Sequence, residues 1–139
     1  MYFLKTQDSF DSAHFLKDYE GKCRNIHGHR WKVVAEIASE TLESKGTNRG
    51  MVVDFSDLKD SLKQMCDELD HCLICEVGSL KKATMDALLD EGFRIVEVSF
   101  VPTAENYARY FYEKLKETGY PMKRVEVYET PNNIAAYEE

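Results

Sequence analysis

The sequence predicts an α+β domain with helices on one side of a mostly antiparallel sheet. Three observations carry that prediction. Residues 27–38 alternate strictly enough to be a strand, two later segments carry helical apolar stripes, and the elements run β, β, α, (α), β, α, β. Two strands in direct succession followed by separated helix–strand units give a four-stranded sheet with two main helices on one face. The pattern over 79–90 allows a short extra helix.

The elements follow in chain order. Residues 2–15 read as a strand carrying Phe3, Phe10 and Phe15, with an imperfect alternation that a bulge would explain. Residues 17–26 are polar and form a loop. In the strand over 27–38, His27, His29, Trp31, Val33, Ala35 and Ile37 share one face, and Arg30, Lys32 and Glu36 share the other. A polar connection over 39–50 leads to Asp54, the N-cap of a helix over 55–69 with Phe55, Leu58, Leu62, Met65 and Leu69 as its stripe. The extra helix would start at Ser79 and turn Leu80, Ala83, Ala87 and Leu88 inward. A strand over 93–101 precedes Pro102-Thr103. These residues open a helix striped by Ala104, Tyr107, Ala108, Phe111 and Leu115, which Gly119 and Pro121 stop. A strand over 123–130 closes the list, with Val125, Val127 and Glu129 on one face.

The bulk numbers fit one domain over residues 1–139: 43% hydrophobic residues provide a core and 31% charged residues a surface. A net charge of −7 argues against a general nucleic-acid binder, which needs a basic face. The first residues are too short an apolar run for a signal peptide or membrane span, so a cytoplasmic protein with reduced cysteines is expected.

Three of the four histidines point to a metal. His27 and His29, two apart on a strand, face one side, and His14 meets them if the first two strands pair. Gly28 between them leaves room for close approach. Three imidazoles suit Zn2+ and leave its fourth position open, the pattern of a catalytic site. Cys72 and Cys75 form a lone CxxC, a rival metal or redox pair against ordinary buried thiols.

Proton-transfer groups stand nearby. Cys23 lies four residues before His27, where a bound cation would favour thiolate. Asp70 follows the first helix and can orient His71, provided the helix has ended. Glu105 sits in the first turn of the last helix, where the dipole favours acids, and Thr103 suits its N-cap. Glu129 points where a core or pocket should be. Its carboxylate needs a partner, either an arginine or the two parallel donors of a pterin- or guanine-like edge. Lys17, Lys22, Arg24 and Arg30 surround the metal segment as cations for an anionic substrate or as surface charge.

Six motifs stand in one order: Phe10-Asp11-Ser12-Ala13-His14, Cys23-x3-His27-Gly28-His29, Gly50-Met51-Val52-Val53-Asp54-Phe55, Leu69-Asp70-His71, Pro102-Thr103-Ala104-Glu105-Asn106 and Glu129-Thr130. Together they resemble the 6-pyruvoyltetrahydropterin synthase / 6-carboxytetrahydropterin synthase family over nearly the whole chain. The three residues between Cys23 and His27 resemble the bacterial carboxy-type enzyme. That resemblance implies conversion of 7,8-dihydroneopterin triphosphate to 6-carboxy-5,6,7,8-tetrahydropterin, with loss of acetaldehyde and triphosphate, on the route to queuosine and related deazapurines. The pyruvoyl-type synthase, which eliminates triphosphate but keeps the side-chain carbons, and a non-catalytic pterin- or purine-binding module are the alternatives.

The resemblance also implies the tunnelling fold, a homohexamer of two trimers with sites between subunits, and zinc on His14, His27 and His29. Cys23, Asp70 and His71 would be the acid–base set. Glu129 would anchor the pterin, with Thr103 and Glu105 nearby. The chain departs from the family at Ile74-Cys75, where Leu-Asn is common, and in a longer segment over 76–100.

Overall fold

A computed structural model describes all residues, 1–139. Strand β1 (Tyr2–His14) pairs antiparallel with β2 (His27–Ser39) in unbroken register from Tyr2↔Ser39 to His14↔His27, so the expected bulge in the first strand is absent. Helix α1 (Phe55–Glu68), strand β3 (Cys72–Glu76), helix α2 (Lys82–Asp90), strand β4 (Ile95–Val98), helix α3 (Ala104–Glu117) and strands β5 (Met122–Tyr128) and β6 (Ile134–Tyr137) follow.

The sheet has six strands in the order β4-β3-β1-β2-β5-β6. β3 runs parallel to both β1 and β4, while β2, β5 and β6 pair antiparallel. The sheet is therefore mixed and six-stranded, where a four-stranded, mostly antiparallel one was expected. Two short strands account for the difference. β3 is buried at Cys72, Ile74 and Cys75, so it shows no apolar–polar alternation, and β6 has only four residues.

The two main helices do share one face. Asp54 caps α1 by accepting the Ser56 N–H at 2.8 Å, and Leu58, Leu62, Cys66 and Leu69 turn inward, whereas Phe55 stays exposed. Thr103 caps α3, which buries Tyr107, Ala108, Phe111 and Leu115. Between these helices and the sheet, Phe10 packs on Trp31, Tyr107 and Phe111 with ring centroids 5.8–6.1 Å apart. Each such aromatic pair adds about 0.5–1.5 kcal/mol beyond area burial.

The extra helix exists, but its packing was misjudged. Its N-cap is Lys81 without a side-chain cap, not Ser79, and none of its residues is buried; Ala83 and Ala87 face solvent. A spacing that suits a helix does not by itself supply a surface to bury it. No helix is long and apolar enough to cross a membrane.

Candidate metal centre

The β1–β2 register builds the site. It sets His14 opposite His27 and Ser12 opposite His29, all on the face that carries the core. The ring centroids of the three histidines lie 4.5–5.2 Å apart, and one ligand nitrogen from each falls within 4.8 Å of the others. Trp31, fully buried and two residues beyond His29, floors the cluster edge-on to His14 at 4.9 Å and His29 at 5.2 Å. A Cβ at Gly28 would stand 3.5 Å from the Ser12 carbonyl, an ordinary contact, so crowding does not demand glycine there.

The hydrogen bonds fix where the protons are. A carbonyl oxygen can only accept, so His14 Nδ1–H donates to Pro102 O and His27 Nδ1–H donates to Asn25 O, each at 2.6 Å. Burial, the largest influence, holds His14 below the usual histidine range and therefore neutral. Its Nε2 then carries a bare lone pair, and the Nε2 atoms of His14 and His27 stand 3.1 Å apart. A contact that close between two ring nitrogens needs a proton or a metal ion between them. Nitrogens about 2.0–2.1 Å from a shared tetrahedral ion sit about 3.4 Å from one another, close to the separation here. His29 Nε2 is buried with no hydrogen-bond partner. The donor set thus fits a metal ion, with backbone carbonyls orienting two of three ligands.

The remaining expected residues divide. Glu129, one residue past the end of β5, does reach the site: its Oε1 lies 3.8 Å from His29 Nε2, and no arginine pairs with it. Cys23 sits in a single 3-10 turn, Lys22–Arg24, anchored by Leu16 N–H to Cys23 O at 2.9 Å, in the loop joining β1 to β2; its half-buried thiol meets none of the three imidazoles. Thr103 Oγ1 accepts the Asn106 N–H at 3.4 Å as the N-cap of α3, adjacent to the Pro102 carbonyl that His14 uses. Glu105 is exposed in the first turn of that helix.

Asp70 and His71 form a tight pair in the gap between α1 and β3, where the helix has ended as required. Asp70 Oδ2 lies 2.7 Å from His71 Nδ1, and Asp70 Oδ1 accepts the Asp11 N–H at 2.8 Å. His71, in a left-handed conformation at φ 51°, donates its N–H to Asp11 O at 2.6 Å. Its ring is exposed and lines a shallow depression with Asp11, Ser12, Gly28, His29 and Arg30. Within one chain the pair does not meet the three histidines.

Cys72 and Cys75 make no site of their own. Three residues apart on β3, they point to opposite faces of the sheet. Burial pushes Cys72 up to about 11 and Cys66 up to about 12, so neither ionises readily. What sequence reasoning missed were the carbonyls of Asn25 and Pro102, which carry no side-chain signature, and Arg94, whose guanidinium holds the carbonyls of Glu68 and Asp70.

Over its whole length the chain is 34% identical to the 6-carboxy-5,6,7,8-tetrahydropterin synthase of Haemophilus influenzae, with all of both chains covered. It is also 34% identical to the enzyme of that name from Synechocystis, over 99% of this chain and 93% of that one. The 6-pyruvoyl tetrahydropterin synthase structure from Caenorhabditis elegans superposes with a TM-score of 0.70 at 27% identity, covering 99% of this chain and 95% of that one. Residues 3–139 match the 6-pyruvoyl tetrahydropterin synthase family, and the chain belongs to it.

Proposed function

We propose that this chain is a zinc-dependent 6-carboxytetrahydropterin synthase acting on 7,8-dihydroneopterin triphosphate, with release of acetaldehyde and triphosphate. The observation that carries the reading is the convergence of three imidazoles, with His14 Nε2 and His27 Nε2 3.1 Å apart, the unpartnered His29 Nε2 and the Glu129 carboxylate beside them. Full-length identity to two carboxy-type synthases, together with the Cys23-x3-His27 spacing, favours the carboxy-type over the pyruvoyl-type product. The product would feed queuosine and related deazapurines.

Zinc on His14, His27 and His29 would acidify a bound hydroxyl and stabilise negative charge on oxygen. The protein residues do the rest. Glu129 offers two carboxylate oxygens to the parallel N–H donors of a pterin edge, with Thr103 and Glu105 close to that pocket. Cys23 and His71 take and return protons. Asp70 fixes the His71 ring through Nδ1 and leaves Nε2 free for that exchange. Lys22 and Arg24, flanking Cys23, suit the triphosphate.

His71 does not join the cluster of the three histidines of its own chain, so a ring from another copy would serve a given metal centre. A homohexamer of two trimers fits this need. The open sheet edges at β4 and β6, and the exposed Tyr2, Phe3, Met51 and Phe55, support such assembly. Zinc-loaded protein incubated with dihydroneopterin triphosphate tests the reading. Acetaldehyde and triphosphate in equal amounts are expected. Triphosphate without acetaldehyde would assign the pyruvoyl-type reaction, and binding without turnover a pterin-binding module.

A further inference from the structure

Two of the three imidazoles have an orienting partner and the third has none. His14 and His27 each donate Nδ1–H to a backbone carbonyl, whereas His29 Nδ1 makes no hydrogen bond and His29 Nε2 is buried without a partner. Metal-binding histidines ordinarily donate the second ring N–H to an acceptor, which fixes the tautomer and the ring plane. An acceptor for His29 therefore has to come from its immediate surroundings.

Ser12 is the residue placed to supply it. It is the direct cross-strand partner of His29, on the same face of the sheet. The two atoms are not hydrogen-bonded in this structure, but directly opposed Cβ atoms stand about 4.5–5.5 Å apart, so rotation of the Ser12 side chain can bring its Oγ within reach of His29 Nδ1. Ser12 is only 6% exposed, and its Oγ is buried with no hydrogen-bond partner. A buried hydroxyl left unpaired costs about 1–3 kcal/mol. An unpaired hydroxyl and an imidazole lacking its acceptor thus face each other across one rung of the ladder.

We propose that Ser12 is a positioning residue for the metal centre: its hydroxyl turns to accept the His29 Nδ1–H when His29 Nε2 takes the ion. The chain then holds its three ligands with two backbone carbonyls and one side chain. Only the side chain is open to substitution, so His29 is the ligand whose hold on the metal a mutation can tune. The proposal rests on the metal-site reading of His14, His27 and His29.

Zn2+ titration of the metal-stripped full-length chain, in competition with a chromogenic chelator, tests it on wild type, Ser12→Ala and Ser12→Thr. Ser12→Ala should bind Zn2+ about 10–100-fold more weakly, the usual cost of losing an outer-shell partner. Ser12→Thr, which keeps the hydroxyl, should recover most of the loss. Metal-free Ser12→Ala should melt no lower than metal-free wild type, since it loses an unpaired hydroxyl and no contact. Equal affinity of wild type and Ser12→Ala would overturn the role of Ser12 while leaving the metal site standing. A threonine variant as weak as alanine would also overturn it. A wild type that takes up no Zn2+ would overturn both. Nitrogen-detected NMR of zinc-loaded wild type gives a check that needs no variant: His29 must carry its proton on Nδ1, and a proton on Nε2 refutes the assignment.

Discussion

The three-histidine end of β1 and β2 and the Asp70–His71 corner lie one strand apart but satisfy their polar groups in opposite ways. At the histidine end, Ser12 Oγ and His29 Nε2 are buried without a partner, and Trp31 Nε1 lies unpaired beneath them. At the Asp70–His71 corner only the exposed His71 Nε2 is left open. Both Asp70 oxygens accept, the His71 N–H donates to Asp11 O, Arg94 holds two carbonyls, and Arg30 pairs with Asp11 at 2.9 Å. Buried unpaired groups are costly and uncommon, so their concentration at one place marks a site built for something besides protein atoms. The saturated corner holds a single exposed ring in one orientation. One region awaits a ligand, and the other presents a tool.

The largest expected effect breaks the first region. His14→Ala removes a ligand that is 1% exposed and strands the Pro102 carbonyl. Zinc retention after dialysis against a chelator should vanish, and turnover with it. His71→Ala breaks the second region and should leave zinc content unchanged while lowering kcat by about 10²–10⁴-fold, the range for a lost acid–base group. If His71→Ala also lost zinc, the two regions would not be separable.

Acid should distinguish them by a smaller effect. The Asp11 N–H and then His71 hold the Asp70 carboxyl below the usual carboxylate range, and the Arg30 guanidinium does the same for Asp11. A carboxyl with a depressed folded-state pKa contributes stability that is present above about 3.9 and lost as pH falls through the folded value. The stability difference between wild type and Asp70→Asn, measured by urea unfolding of metal-free protein, should be constant from pH 7 to 5 and shrink below pH 4. Carrying His71→Ala in both proteins removes the imidazole that contacts Asp70, so the difference reports the carboxyl. A gap that stays constant to pH 3 would remove Asp70 from that role.

How much of this was legible in the sequence follows from the same contrast. The histidine cluster could be read because a two-residue period and one antiparallel pairing suffice to bring His14, His27 and His29 together. Glu129 could be read because it shares a face with Val125 and Val127, although β5 ends one residue before it. The parallel strand β3 could not: Cys72–Glu76 is buried on both faces and lacks a period, and the CxxC within it drew attention to chemistry instead of pairing. Without β3, the side of the sheet on which His71 emerges was out of reach. Its left-handed backbone and its hold on Asp11 are set by partners 60 residues away.

The smallest predicted effect separates a vacancy from a defect. Tyr107 is fully buried against Trp31 at 4.8 Å, and its hydroxyl is unpaired. If that hydroxyl is only a packing cost, Tyr107→Phe should be neutral or stabilise the fold by up to about 1–2 kcal/mol in denaturant unfolding, because it removes an unsatisfied group at nearly constant shape. If the histidine end instead holds an ordered water against Tyr107, the same change removes a real hydrogen bond and destabilises by about 1 kcal/mol. The sign of this shift decides whether the unpaired atoms under Trp31 belong to a hydrated extension of the metal centre or stop at the imidazoles. We expect stabilisation, since the Phe10, Trp31 and Phe111 rings around Tyr107 offer water few of the polar partners it needs.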